Sequence, residues 1–170
     1  MSDSWDHGAV RNALLSAARE HSSVEELKCH ALFDLLETCH ELSQTLRREL
    51  ARNALTESGF RLLAQVIHSH AGAVDPQMLP DSVGLSPKSV SAILGRLEVS
   101  GLVARERMRG TTRAFAVAVT PAGRTAFSSA LAGYLEAIKR MMSVLDTADI
   151  TRLDQACIRL RQFSNQTCKS

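Results

Sequence analysis

The sequence predicts a mainly α-helical chain carrying one small β-hairpin. Apolar residues recur at spacings of three and four along both ends of the chain, and only between residues 102 and 120 does the period fall to two. Between these stretches stand Ser86-Pro87 and Thr120-Pro121, each a capping hydroxyl followed by a proline suited to the first helical position.

Neither glycine nor proline occurs between Gly8 and Gly59, so nothing in that stretch interrupts a helix. Val24, Leu27, Ala31, Leu35, Cys39, Leu42, Leu46 and Leu50 form one stripe, which predicts a long amphipathic helix over 24–52. Ser22 with Glu25, or Ser23 with Glu26, suits a capping box at its start. Residues 7–20 predict a shorter helix before it. Thr56 opens the next helix, which runs to a polar turn at 68–76, and a short helix follows over 77–83. Gly84 suits the left-handed residue after that helix.

Ser86 caps a further helix with Val90, Ile93, Leu94 and Leu97 facing inward, and Gly101 ends it. Two strands follow, 102–107 and 114–120, the second with Phe115, Val117 and Val119 on one face and a glycine-containing connection at 108–112 between them. Thr120 caps a helix striped by Phe127, Leu131, Tyr134, Ile138, Met141 and Leu145. Asp146 caps a last helix lined by Ile150, Leu153, Cys157 and Leu160.

Helix, turn, capped helix and hairpin in that order describe a winged helix-turn-helix lobe at 53–123. Dimerisation helices flank it at 1–52 and 124–163, with a tail at 164–170. Striped arms that one small chain cannot bury by itself predict a homodimer.

Composition agrees with a soluble globular chain: 45% of residues are apolar and 22% charged. Aromatics make up only 4%, so the core rests on aliphatic side chains. No apolar run approaches the roughly 20 residues that span a bilayer, and the opening MSDSWDHGAVRN lacks a secretory pattern. The expectation is a cytoplasmic protein without a membrane partner.

Charge is unevenly placed. Residues 86–124 hold Lys88, Arg96, Arg105, Arg107, Arg109, Arg113 and Arg124 against Glu98 and Glu106, a net +5 that leaves −3 elsewhere in a chain of total +2. A basic segment in an otherwise acidic chain points to an anionic partner. An exposed helix fits the major groove of double-stranded DNA, and an arginine at a hairpin tip reaches the minor groove.

The helix start Ser86, Pro87, Lys88 and Ser89, with Ser91, Ala92 and Arg96, forms the candidate reading surface. Lys88 and Ser91 are placed for base edges and the Ala92 methyl for a thymine. Arg96 has the alternative of pairing with Glu98 or Glu106. Arg105, Arg107 and Arg109 suit phosphates, which position a protein without specifying sequence. Arg113 suits the minor groove.

The segment LSPKSVSAILGRLEVSGLVARERMRGTTRAFAVAVTPAGR resembles the core of the MarR family of winged helix-turn-helix regulators. Its landmarks are Ser86, Leu97, Gly101, Leu102, Val103, Arg113, Val119, Thr120 and Gly123, and LTESGFRLL at 55–63 resembles the family's second helix. The resemblance spans residues 24–163. It implies a dimeric repressor of a pseudo-palindromic operator, released by a small ligand or by oxidation. Two positions depart from the pattern: Thr111 stands where an aspartate often braces the wing arginine, and Ala92 where a basic residue is common. The resemblance also implies an effector pocket. Phe33 and Phe60 are candidates for its wall, and His30 or Arg61 for the anchor of an aromatic carboxylate or phenol.

Four cysteines stand at 29, 39, 157 and 168 with no paired spacing, so reduced thiols are expected. Cys29-His30 and Cys39-His40 lie about 15 Å apart on one helix, too far to share a metal within the chain. Cys29 and Cys39 are the candidates for a thiol sensor. Cys39, on the apolar stripe between Glu37 and Glu41, reads instead as a packing residue. No nucleophile turn, phosphate loop or paired-carboxylate motif is present, so neither an enzyme nor a cofactor is expected. The alternatives to a ligand-released repressor are a thiol-based redox regulator and a winged-helix module that binds protein rather than DNA.

Overall fold

The computed structural model describes residues 7–20, 26–69, 73–107 and 115–167. They form two units, residues 1–45 and 46–170. Helix α1 (His7–Glu20) lies in the first unit and α2 (Glu26–Ala51) crosses the division. The second unit continues with α3 (Glu57–Ile67), β1 (Ala73–Val74), a 3₁₀ turn Pro76–Met78, α4 (Leu79–Val83), α5 (Pro87–Val99), β2 (Val103–Arg107), β3 (Phe115–Val119), α6 (Pro121–Met142) and α7 (Thr147–Thr167). No helix among the described residues is long and apolar enough to cross a membrane.

The predicted caps form. Thr56 accepts a hydrogen bond from the Gly59 amide at 3.1 Å, Ser86 from Ser89 at 3.2 Å, and Asp146 from Asp149 at 2.8 Å. Each satisfies an amide that the first helical turn leaves without a partner. Gly84 is left-handed (φ 65°), and its amide reaches back to the Pro80 carbonyl. The two capping boxes at Ser22 and Ser23 lie outside the described residues.

One element is missing from the sequence reading. The hairpin is part of a three-stranded antiparallel sheet in the order β1-β3-β2. Ala73 pairs with Ala118 and Val74 with Val117, inside a stretch that reads as a polar turn. Two residues are too few to show a period, so pairing alone makes this strand. Phe115 also departs from expectation. It shares a face of β3 with buried Val117 and Val119, yet it is 44% exposed, because it sits at the far end of the strand beyond the core.

The core of the second unit joins Leu50 and Leu55 to Leu62, Leu63 and Val66 of α3, Leu79 of α4, and Val90, Leu94 and Leu97 of α5. Val103 and Val117 close it from the sheet, Phe127 and Ala130 from α6. Phe60 stacks on Phe127 and Tyr134 with ring centroids 4.9 and 5.5 Å apart. Glu49, the one buried charged residue among those described, is held by Arg52 at 2.5 Å and Arg140 at 3.4 Å.

At the end of α5 the chain turns through Gly101 (φ 70°) into β2. There the Thr120 hydroxyl donates to the Gly101 carbonyl at 2.7 Å and accepts from the Gly123 amide at 3.0 Å. The Thr120 amide donates to the Leu102 carbonyl at 3.1 Å. A Cβ on Gly123 would stand 2.0 Å from that same carbonyl oxygen, so only glycine lets α6 begin against β2.

Two glycine substitutions should therefore act in opposite directions. Alanine in a helix gains about 0.5–1 kcal/mol over glycine, and overlap with packed atoms costs about 1–3 kcal/mol. Gly95→Ala on α5, where an added Cβ meets nothing within 4 Å, is expected to stabilise the protein. Gly123→Ala is expected to destabilise it by about 2 kcal/mol, since the atom it strikes is backbone and cannot swing away. Urea unfolding of both variants measures this, and a stabilised Gly123→Ala would contradict the close approach.

Candidate nucleic-acid interface

Helix α5 owes its exposure to the way its start is built. Gly84 ends α4 in a left-handed residue and Ser86 restarts the chain two residues later, so α5 leaves at a new angle with one face on the core. Val90, Ile93, Leu94 and Leu97 are buried on that face. Pro87, Lys88, Ser89, Ser91, Ala92 and Arg96 are all exposed, as the sequence reading placed them. Lys88, Ser91, Ala92 and Arg96 follow spacings of three, one and four, a single ridge along about 12 Å of helix. Gly95 lies within the same ridge and leaves it low.

The hydroxyls on this helix are not equally available. Ser86 and Ser89 contact each other, Oγ to Oγ, at 2.8 Å, and Ser86 also accepts the Ser89 amide. Both are occupied by the cap. The Lys88 ammonium and the Arg96 guanidinium have no ion pair within the described residues.

Arg96 pairs with neither Glu98 nor Glu106, the two alternatives its position offered; Oε2 of Glu98 lies instead 3.0 Å from Nε of Arg105 on β2. The spacing itself explains part of this, because residues two apart on a helix do not face each other. The cross-element partner had no signal in the sequence. Arg107 ends β2 opposite Phe115. Arg109, Arg113 and Thr111 lie outside the described residues.

The four residues expected at an effector pocket divide between the two units. His30 and Phe33 belong to the first unit, where His30 lies 3.6 Å from Glu26. In the second unit, Phe60 is partly buried in its aromatic stack and Arg61 donates to Glu57 at 2.5 Å. An anion reaching Arg61 would have to displace that carboxylate. Arg61 borders a 300 Å³ recess with Ala64, Gln65 and Val83. A larger groove of 350 Å³ runs beside the reading helix, lined by Pro76, Pro80, Val90, Leu94 and Arg105 among others.

Cys39 is exposed and Cys29 half-buried. The packing role read for Cys39 is not met within the single chain, where neighbouring stripe residues Leu27 and Leu42 are exposed too. Among the described residues no group of three or more His, Cys, Asp or Glu side chains could hold a metal.

Comparison by sequence finds no matching family model and no matching curated protein. Comparison by fold is productive. AbsC, a MarR family transcriptional regulator from Streptomyces coelicolor, matches with a TM-score of 0.71 at 20% identity, over 84% of this chain and 97% of its own. The organohalide-sensing transcriptional regulator RdhR-CbdbA1625, in its 2,4-dichlorophenol-bound form, gives 0.69 at 22% identity, over 85% of this chain and 84% of its own. The Mycobacterium tuberculosis MarR family protein Rv2887, in complex with salicylic acid, gives 0.57 at 21%, over 75% and 93%. With its capped helix α5, its three-stranded sheet and the helices before and after them, this chain has the winged-helix fold seen in these MarR-family transcription regulators.

Proposed function

We propose that the protein is a MarR-type transcription regulator that binds double-stranded DNA through α5 and the β2-β3 wing. The observation that carries this reading is the exposed ridge from Lys88 to Arg96, which keeps two uncompensated cations on a helix whose other face is locked into the core. Lys88 and Ser91 would meet base edges and Ala92 a thymine methyl. Arg96, Arg105, Arg107 and Arg109 would meet phosphates and Arg113 the minor groove. The concentration of positive charge here favours nucleic acid over a protein partner.

Binding should fall by orders of magnitude between low and moderate salt, as phosphate neutralisation releases counterions. Lys88→Ala is expected to reduce discrimination between operator and unrelated duplex by ~1–3 kcal/mol if the ammonium reads a base. Fluorescence titration of the protein with its own upstream intergenic DNA at two salt concentrations measures both effects. An affinity that ignores salt would contradict the electrostatic part.

The same reading makes the protein a homodimer on a pseudo-palindromic operator. It is supported by large apolar side chains left exposed at both ends of the single chain, among them Leu27 (77% exposed) and Leu36 (58%), with Leu153 and Leu160. Leu153→Asp would put an unpaired charge into such an interface. The expected result is a monomer in sedimentation with weakened operator binding, and a monomer with undiminished operator affinity would rule the interface out.

A small effector is the proposed trigger of release, an aromatic carboxylate or a phenol. Support comes from the two relatives in fold that hold salicylic acid and 2,4-dichlorophenol. The exposure of Cys39 favours a second reading, in which thiol oxidation releases the DNA. In a DNA-release assay, wild type and a Cys29→Ser, Cys39→Ser double variant are expected to respond alike to salicylate and to resist low-dose peroxide. Peroxide release of the wild type alone would decide for the thiols.

A further inference from the structure

Glu98 is oddly placed. It lies in the last turn of α5, where the helix dipole disfavours a carboxylate, and on the element that carries the uncompensated cations Lys88 and Arg96. Its partner Arg105 comes from the first strand of the wing, and both side chains are partly exposed, 39% and 49%. A pair this open adds little to folding stability.

The arginine pairs nearby are of two kinds, hydrogen-bonded or in charge contact only, as Arg47 is with Glu57 at 3.5 Å. Arg61 donates a hydrogen bond to Glu57 and Arg140 to Glu49. Arg105 and Glu98 approach to 3.0 Å with no hydrogen bond between them. A bracing carboxylate holds a guanidinium through directed N–H donors, and that is absent here. The Nη donors of Arg105 hold no hydrogen bond among the described residues, while Glu98 offsets part of its charge.

We propose that Glu98 is an electrostatic brake on DNA binding: it compensates Arg105 in the free protein and opposes the phosphate that Arg105 meets in the complex. This rests on the DNA-binding reading above. The brake acts on the phosphate contact, which is the same for all sequences, so it lowers operator and unrelated affinity together. Its consequence is a shorter stay on unrelated duplex and an operator complex weak enough for an effector to release.

Two unit charges about 4 Å apart in water interact strongly enough to change an affinity about fivefold. The test titrates a duplex of arbitrary sequence with the wild type, Glu98→Gln, Glu98→Ala, Arg105→Gln and the Glu98→Gln, Arg105→Gln double variant, across a salt series. Melting curves follow each variant's folding. Glu98→Gln is expected to bind about fivefold tighter at low salt, with the log–log salt slope steeper by about 0.9, one further phosphate neutralised. Glu98→Ala should match it. In the Arg105→Gln background the gain should be clearly smaller. Weaker or unchanged binding by both folded Glu98 variants, beside salt-dependent binding by the wild type, overturns the brake and leaves the DNA-binding reading standing. No duplex binding by the wild type or any variant overturns that reading, and the brake with it.

Discussion

Gly123 and the Leu102 carbonyl occupy a space that admits no side chain, and much of the second unit is arranged around that contact. An added Cβ would come to 2.0 Å from the oxygen. Around it, Thr120 serves three groups at once: its amide donates to Leu102, its hydroxyl donates to Gly101, and the same hydroxyl accepts from Gly123. The end of α5, the start of β2, the end of β3 and the start of α6 therefore meet within a few residues. The reading helix cannot turn without moving the wing, because both are pinned to one junction. For the proposed DNA contact, such coupling would hold helix and hairpin in one register along a duplex.

Several arginines near this lobe face carboxylates, and their partners show which charges build the fold. Arg47 and Arg61 both approach Glu57, joining the end of α2 to the start of α3. Arg52 and Arg140 both approach Glu49, which is buried and would be costly without them. These cations compensate specific carboxylates. Among the described residues Lys88 and Arg96 have no such partner, and Arg105 has only the half-exposed Glu98. The distinction between structural and available charge is therefore made residue by residue, and a count of basic residues does not draw it.

The same division holds for apolar surface. Leu50, Leu62, Leu63, Val66, Val90 and Val117 are completely buried and close a core without any second chain. The outer parts of α2 and α7 keep apolar residues exposed at helical spacing. A helix of this polarity is stable in a protein mostly through packing of its apolar face, which the single chain leaves undone.

Local chemistry was enough to set out the helices, because their caps are short-range contacts between residues two or three apart. Thr56, Ser86, Thr120 and Asp146 each start a helix where the sequence says one starts, and Gly84 ends one where it should. Period alone identified the buried face of α5 and, as its complement, the exposed ridge of Lys88, Ser91, Ala92 and Arg96. Long-range pairing was beyond it. Strand β1 exists because Ala73 and Val74 find Ala118 and Val117, more than forty positions away, and two residues carry no pattern of their own. Glu98 meets Arg105 for reasons that lie in how separate elements pack, whereas Arg61 is taken by Glu57 one turn earlier on the same helix. Gly123 looks like a weak helical residue until β2 is laid against it. What the sequence by itself determined is which segments fold locally and which faces they bury; which charges remain free for a partner was decided only when those segments met.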